Sequence, residues 1–286
     1  PLELIVFYAG QEQDNYLTLF GAFSADYKVN ENFTLTTIAS RYNTQEEEYF
    51  DIAAQYNLGE VDANIGSQNF GDVQFSQGIG SQLNHARNDL DALITNFEIK
   101  GYINKDEKKW TFGAKYQKED VRDRIREWEV IDSLGFSIRP PHHTENNQPY
   151  EPFEGEIVPF QNIRKDNNVA INRVSGFVQF DQRTFWNEHE IFYNIGIRSH
   201  NWSVTGNGID SKNQTIISPR AQFAIKPNWD KDMLFRISGG LYAQPPSYRE
   251  LRDFDGNLNV DVKAQQSFHF VSGMDYSYEM WERPFK

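Results

Sequence analysis

The sequence predicts an all-β chain: a segment of an antiparallel transmembrane β-barrel, with about nine to ten long strands joined by short turns at one end and long loops at the other. Three observations predict it. Apolar and polar residues alternate with a period of two in successive stretches. Short polar turns and long polar connections succeed each other along the chain. Trp residues fall at the ends of the alternating stretches and none in the middle of one.

Composition sets the limits. The 286 residues are 38% apolar and 15% aromatic, enough to fill or coat a substantial structure. There is no Cys, so disulfides and thiolate metal sites are excluded. A formal charge of −13 argues against nucleic acid as a partner. No apolar run reaches the roughly 18 residues of a membrane helix, whereas a barrel strand needs only one apolar face and leaves a weaker signal. The chain opens at Pro1-Leu2-Glu3, which reads as a mature product or an internal fragment.

The first alternating stretch, residues 16–27, sets Leu17, Leu19, Gly21, Phe23, Ala25 and Tyr27 against Thr18, Ser24 and Asp26. After Asn30-Glu31-Asn32 its hairpin partner carries Phe33, Leu35, Thr37 and Ala39. Residues 42–84 lose the pattern, contain Glu46-Glu47-Glu48, and read as a long loop with a solvated acidic strand end. A second hairpin joins Leu93, Thr95, Phe97, Ile99, Gly101 and Ile103 to Trp110, Phe112, Ala114 and Tyr116. The next connection, residues 131–170, holds Pro140, Pro141, Pro149, Pro152 and Pro159, too many for a sheet ladder. A third hairpin pairs Val174, Gly176, Val178 and Phe180 with Ile191, Tyr193, Ile195 and Ile197 around Asn187-Glu188. Residues 205–214 read as a shorter loop, then, after Ser218-Pro219-Arg220, come strands at 221–225, 233–243 and 267–278, with a tenth beginning near Phe285.

Trp110, Trp186, Trp229 and Trp281 flank short turns and read as one aromatic girdle, each ring at the polar-apolar boundary with its N–H wet. Trp128 and Trp202 precede long connections, and Trp202 points inward by parity with Glu190, Asn194 and Arg198. Trp110 and Trp128 lie on one stretch, 18 positions apart. That is about 60 Å of strand, or about 40 Å of height at a 45° tilt, against an apolar band of roughly 25 Å. The upper strand ends therefore project beyond the membrane. The competing reading of these Trp residues is as caps on a soluble β core.

The segment from Ser218 onward carries an ordered set of residues: Ser218-Pro219-Arg220, Pro246-Ser247, Glu250-Leu251, Asn257-Leu258, then Lys263, Ser267 and Gly273. On its strand, loop and strand framework this set resembles TonB-dependent outer-membrane receptors. It departs from the family pattern where Leu258 follows Asn257 directly and where Ala264-Gln265 stands in place of Pro-Glu. The resemblance implies short periplasmic turns, long extracellular loops, about 22 strands around a plugged lumen, and uptake of a scarce ligand energised through TonB. Nine or ten strands are part of such a barrel, so residues 1–286 read as a partial barrel domain without the plug, a piece of a longer polypeptide. The expected partners are outer-membrane lipid, the plug of the same polypeptide, the TonB complex through a segment outside this chain, and a surface lipoprotein.

Arg173, Gln179, Asp181 and Arg183 share the polar face of their strand and, with Arg198 and Arg236, are the candidate ligand path. The run Asp120, Arg122, Asp123, Arg124, Arg126, Glu127 and Glu129 reads as cross-strand charge pairing above the membrane; a ligand-contacting rim is the sharper alternative. Asp253-Phe254-Asp255-Gly256-Asn257 has its Gly two residues early for an EF-hand, and Ala264 stands where the bidentate Glu belongs. Adjacent His142-His143 diverge on an extended chain and make a poor metal pair. No nucleophile triad, phosphate loop or HExxH motif is present. The sequence thus calls for no enzyme activity, no cofactor and no metal. The expected function is transport; the alternatives are a non-transporting barrel scaffold in an outer-membrane complex and a soluble β-sandwich enzyme or carbohydrate-binding module.

Overall fold

A computed structural model describes residues 1–132, 159–206 and 208–285. Of the Pro-rich connection read at 131–170, residues 133–158, with His142-His143, lie outside them, while 131–132 and 159–170 are strand, so the loop expectation is corrected there. The chain order is β1 (Leu2–Lys28), β2 (Phe33–Val61), β3 (Val73–Lys105), β4 (Lys108–Asp132), β5 (Pro159–Trp186), β6 (His189–Gly206), β7 (Ile209–Lys226), β8 (Asp232–Gln244), the short helix α1 (Tyr248–Leu251), β9 (Gln265–Met280) and β10 (Arg283–Phe285). Spatial order follows chain order from β1 to β10, so each strand pairs with its sequence neighbours, and β1 does not meet β10: the sheet is antiparallel and open. This is the all-β strand and turn arrangement expected from the alternation.

The strands run further than the alternation indicates. The stretch of about a dozen residues read as the first strand is 27 residues long, and β3 has 33. The expectation of a long loop at 42–84 is corrected: most of it is the far end of β2 and the start of β3, around a turn at residues 62–72. The expectation of a loop at 205–214 is corrected as well, since β6 ends at Gly206 and β7 begins at Ile209. A membrane strand needs only about 9–11 residues, so strands of this length continue well past an apolar band.

Turn chemistry accounts for the short connections. Asn30 Oδ1 accepts the amides of Asn32 (2.9 Å) and Phe33 (3.0 Å), an Asx turn. Asn187-Glu188 and Trp281-Glu282 have φ of 45°, 72°, 52° and 56°, the left-handed pair of a two-residue type I′ hairpin. Trp281 is therefore a turn residue itself, in a conformation that bulky side chains rarely take.

The chain forms two compact units. The first comprises residues 1–17, 45–91 and 122–166, and polar cross-strand pairs hold it. Tyr49 Oη donates to Asp89 (2.6 Å), Tyr56 Oη to Gln82 (2.9 Å), and Gln82 to Glu129 (2.5 Å). Arg124 pairs with Asp89, and Arg126 bonds Asp166 at 2.5 Å. Arg124 and Arg126 of the mixed-charge run are thus paired across strands, as expected, whereas Asp120 pairs with Lys118 of its own strand. Trp128 stacks on His85 with ring centroids 4.7 Å apart. Arg87 and His85 both hold the Asp51 carboxylate, which lies below its usual pKa because Arg87 and then His85 hydrogen-bond to its charged form.

The second unit comprises residues 18–44, 92–121 and 167–286. Register sorts its side chains onto two faces. Val178, Ile197, Pro219 and, one ladder on, Ile237 and Leu241 fall on one face; Gln179, Gly196, Arg220, Gly240 and His269 fall in one row on the other. The first face is apolar and exposed: Val174, Ile195, Ile197, Ile217, Ile237, Phe268, Phe270 and Met274 all present their side chains to the surroundings. Exposed apolar surface on this scale marks a membrane or partner contact. At Gly101 a Cβ would meet the Phe112 ring at 2.3 Å, so the ring lies across the glycine.

Candidate functional site

The site is built on the polar face of β4 to β7 and on the loop between β8 and β9. The β7–β8 ladder runs from Arg220↔Gly240 to Ile225↔Phe235 and stops at Pro219, which has no amide hydrogen to donate. β8 continues to Gln244 against β9 alone. Beyond that point the upper half of β7 bonds the loop instead: Gln214 Nε2 donates to the carbonyls of Val260 (2.9 Å) and Val262 (3.2 Å), and Lys212 pairs with Asp261.

The loop, residues 245–264, has its own internal order. Ser247 N-caps α1 in a capping box, its amide donating to Glu250 at 2.6 Å. This backbone hydrogen bond, followed by that of the Ser247 side chain, lowers the Glu250 carboxyl below its usual pKa. Leu251 is 1% exposed and Tyr248 is buried, so both anchor the loop. Asn259 N donates to Leu251 O at 2.7 Å, and Arg252 bridges Leu258. Asp253 Oδ1 accepts the amides of Asp255 (3.0 Å) and Asn257 (2.8 Å), so its carboxylate organises its own turn. Two bonds fasten the loop to β5: Asn167 Nδ2 to Gly256 O at 3.0 Å, and Arg173 to Pro246 O at 2.7 Å. Within the ordered motif, Ser247 and Glu250 thus cap, Leu251 anchors and Pro219 ends the ladder beside one folded loop.

Beside that loop lies a cleft of about 450 Å³ lined by Lys115, Gln117, Glu119, Arg173, Arg198, His200, Pro245 and Ser247, among others. Arg173 pairs with Glu119, and both are largely buried. Arg198 lies over the Phe177 ring at 5.1 Å. Of the expected ligand-path residues, Arg173 and Arg198 come together here. Asp181 and Arg183 line a separate groove of about 330 Å³ with Glu107, Lys109, Phe192 and Asn194. There Gln179 and Asn194 donate to Asp181, and Arg183 pairs with Glu190. Arg236 bonds Asp275 at 2.9 Å on β8 and β9. The polar face therefore presents two lined recesses.

Lys115, Glu119 and His200 were not among the sequence candidates. The signal for them was parity, because Lys115 and Glu119 alternate with Ala114 and Tyr116, and His200 with Ser199 and Asn201. Trp202, expected to point inward, is 2% exposed. Trp110, Trp186, Trp229 and Trp281 are all exposed. Trp110 packs against Phe180 with centroids at 4.5 Å, and Trp229 against Phe235 at 6.0 Å. A larger depression of about 820 Å³ lies among Trp110, Phe180, Ile195, Ile197, Leu241 and Phe268. Its wall is almost wholly apolar, with Gln179 and Arg220 at its border.

No family model matches the chain, and no curated protein matches it. Among solved structures the chain is similar to "Copper transporter OprC", with a TM-score of 0.44 and 9% identity over 96% of this chain and 47% of that one. The chain thus spans less than half the length of that protein, and a likeness of this degree decides nothing about ligand or activity.

Proposed function

We propose that the chain is part of the barrel wall of a TonB-dependent receptor in the bacterial outer membrane, which takes up a scarce ligand. The observation that carries this is the two-faced sheet of the second unit, apolar and exposed on one face, charged and amide-rich on the other. A soluble sheet buries its apolar face against another layer; a barrel wall turns it to lipid. Trp186 beside its short turn, and Trp229 and Trp281 within theirs, fit an interfacial girdle. Open sheet edges are not tolerated in lipid, so β1 and β10 are expected to meet further strands of the same barrel. The ordered motif supplies the family reading, and its loop becomes an extracellular element folded against the strands.

In this reading the chain catalyses no reaction. A plug fills the lumen, TonB supplies the energy, a surface lipoprotein assists capture, and the Arg173, Arg198 and Asp181 face lines the path. The test is to delete the TonB-contacting segment of the intact polypeptide and measure growth under nutrient limitation. The receptor reading expects the growth advantage to disappear while the barrel stays in the outer membrane. An unchanged phenotype would point to a scaffold, and a monodisperse protein extracted without detergent would contradict both.

A further inference from the structure

We propose that the cleft beside the 245–264 loop is a binding site for a small anionic ligand bearing a carboxylate or phosphate group. The proposal rests on the receptor reading of the same face and adds the charge class of what that face recognises. In a chain of net charge −13, this cleft has three cations, Lys115, Arg173 and Arg198, against the single carboxylate of Glu119. Arg173 already holds that carboxylate and the Pro246 carbonyl. Among the described residues no carboxylate pairs with Lys115 or Arg198.

Arg220 lines the neighbouring depression rather than this cleft, on the next row of the same face as Arg198. It sits two residues beyond Ser218, which lies opposite Arg198 in the β6–β7 register. The guanidinium lies over the Tyr242 ring at 4.1 Å and also has no carboxylate partner among the described residues. Gly240, its ladder neighbour, makes this possible, since a Cβ there would meet the Arg220 side chain at 2.8 Å. Arg198 and Arg220 each lie over an aromatic ring, and with no carboxylate partner among the described residues their N–H edges can take a bidentate acceptor.

A second, independent observation is that buried hydrogen-bond donors sit beside the same cations in the ladder and have no partner among the described residues. Trp202 Nε1, 2% exposed, lies opposite Arg173 in the β5–β6 register, and Ser218 Oγ, 1% exposed, lies opposite Arg198. An indole nitrogen can only donate. Guanidinium, ammonium, indole and hydroxyl groups together call for an acceptor with several lone pairs and negative charge. A volume of about 450 Å³ is in the range of small-molecule sites, roughly 300–1,000 Å³.

The test is isothermal titration of the detergent-solubilised protein with inorganic phosphate, citrate, maltohexaose and spermidine, in wild type, Arg198→Gln, Arg220→Gln, Arg198→Lys and the distant control Lys28→Gln. The expected result is saturable binding of citrate or phosphate but not of maltohexaose or spermidine. Each Arg→Gln change should weaken it roughly tenfold or more, with partial retention in Arg198→Lys and no change in Lys28→Gln. Neutral or cationic probes binding instead, anion binding equal in all variants, or no binding of either anion would overturn the proposal. Outer-membrane fractionation is run on the same variants. A membrane-embedded protein without anion binding rejects this site alone, whereas anion binding by a protein soluble without detergent rejects the receptor reading and leaves the site standing.

Discussion

Replacing Leu251 by Ala is the sharpest probe of the loop on which the site depends. The side chain is 1% exposed, and burying a Leu is worth about 1.5–3 kcal/mol in transfer alone. With the cavity left behind, Leu→Ala changes cost roughly 2–5 kcal/mol. Residues 245–264 have few other buried apolar anchors, namely Pro246, Tyr248 and Ala264. The loop should therefore lose about 3 kcal/mol of local stability, which at about 1.4 kcal/mol per decade is roughly a hundredfold rise in opening. Hydrogen exchange read by mass spectrometry reports this directly, since the Asn259 amide donates to the Leu251 carbonyl at 2.7 Å. Phe254 in the same loop is 100% exposed, so Phe254→Ala is the matched control and should leave exchange unchanged. Equal protection in the two variants would refute the assignment of Leu251 as the anchor. A collapse of protection throughout β8 and β9 as well would refute the loop as a separately ordered unit.

Three further outcomes are expected. Glu119→Ala removes the carboxylate that holds Arg173 and leaves that guanidinium largely buried without its charge partner, so the thermal unfolding midpoint should fall, by the equivalent of about 3 kcal/mol; Glu119→Gln should be milder. Gly101→Ala places a methyl where the Phe112 ring now lies, an overpacking that should cost about 1–3 kcal/mol, and Phe112→Leu in the same chain should recover part of it. Acidification should loosen the Arg87, His85 and Asp51 cluster: because Asp51 has a lowered pKa in the folded chain, its contribution is present above its unfolded value of about 3.9 and is lost as pH falls through the lower folded value. Exchange at residues 50–52 and 85–87 should therefore accelerate below about pH 4, and Arg87→Gln should shift that onset upward.

The sequence was legible where one face of a strand is apolar. Around Phe97, Phe112, Val178 and Ile195 the period of two is unbroken, and those strands and their tight turns stand as read. It was illegible at residues 42–61 and 73–84, where the strands are built from Tyr49 to Asp89 and Tyr56 to Gln82 hydrogen bonds rather than from apolar pairing. A strand wetted on both faces carries no hydrophobic period, so it resembles a loop. The charge run at 120–129 was readable because opposite charges recur along a strand. The site itself was half visible: parity placed Arg173 and Arg198 on one face, but the contribution of the 245–264 loop depends on where the β7–β8 ladder stops at Pro219, which spacing alone does not reveal. Trp281 was expected beside its turn; it occupies the turn, with φ of 52°.

A barrel wall requires the apolar face to meet lipid. The chain has no Cys, so single cysteines at Asn194, Ile195, Gln222, Phe223, Arg236 and Ile237 can each take a spin label without background. In outer-membrane vesicles the labels at Ile195, Phe223 and Ile237 should be accessible to oxygen and shielded from a water-soluble nickel chelate, while those at Asn194, Gln222 and Arg236 should not share that oxygen-rich signature. Chelate accessibility at Ile195, Phe223 and Ile237 equal to that of their neighbours would contradict a lipid-facing wall.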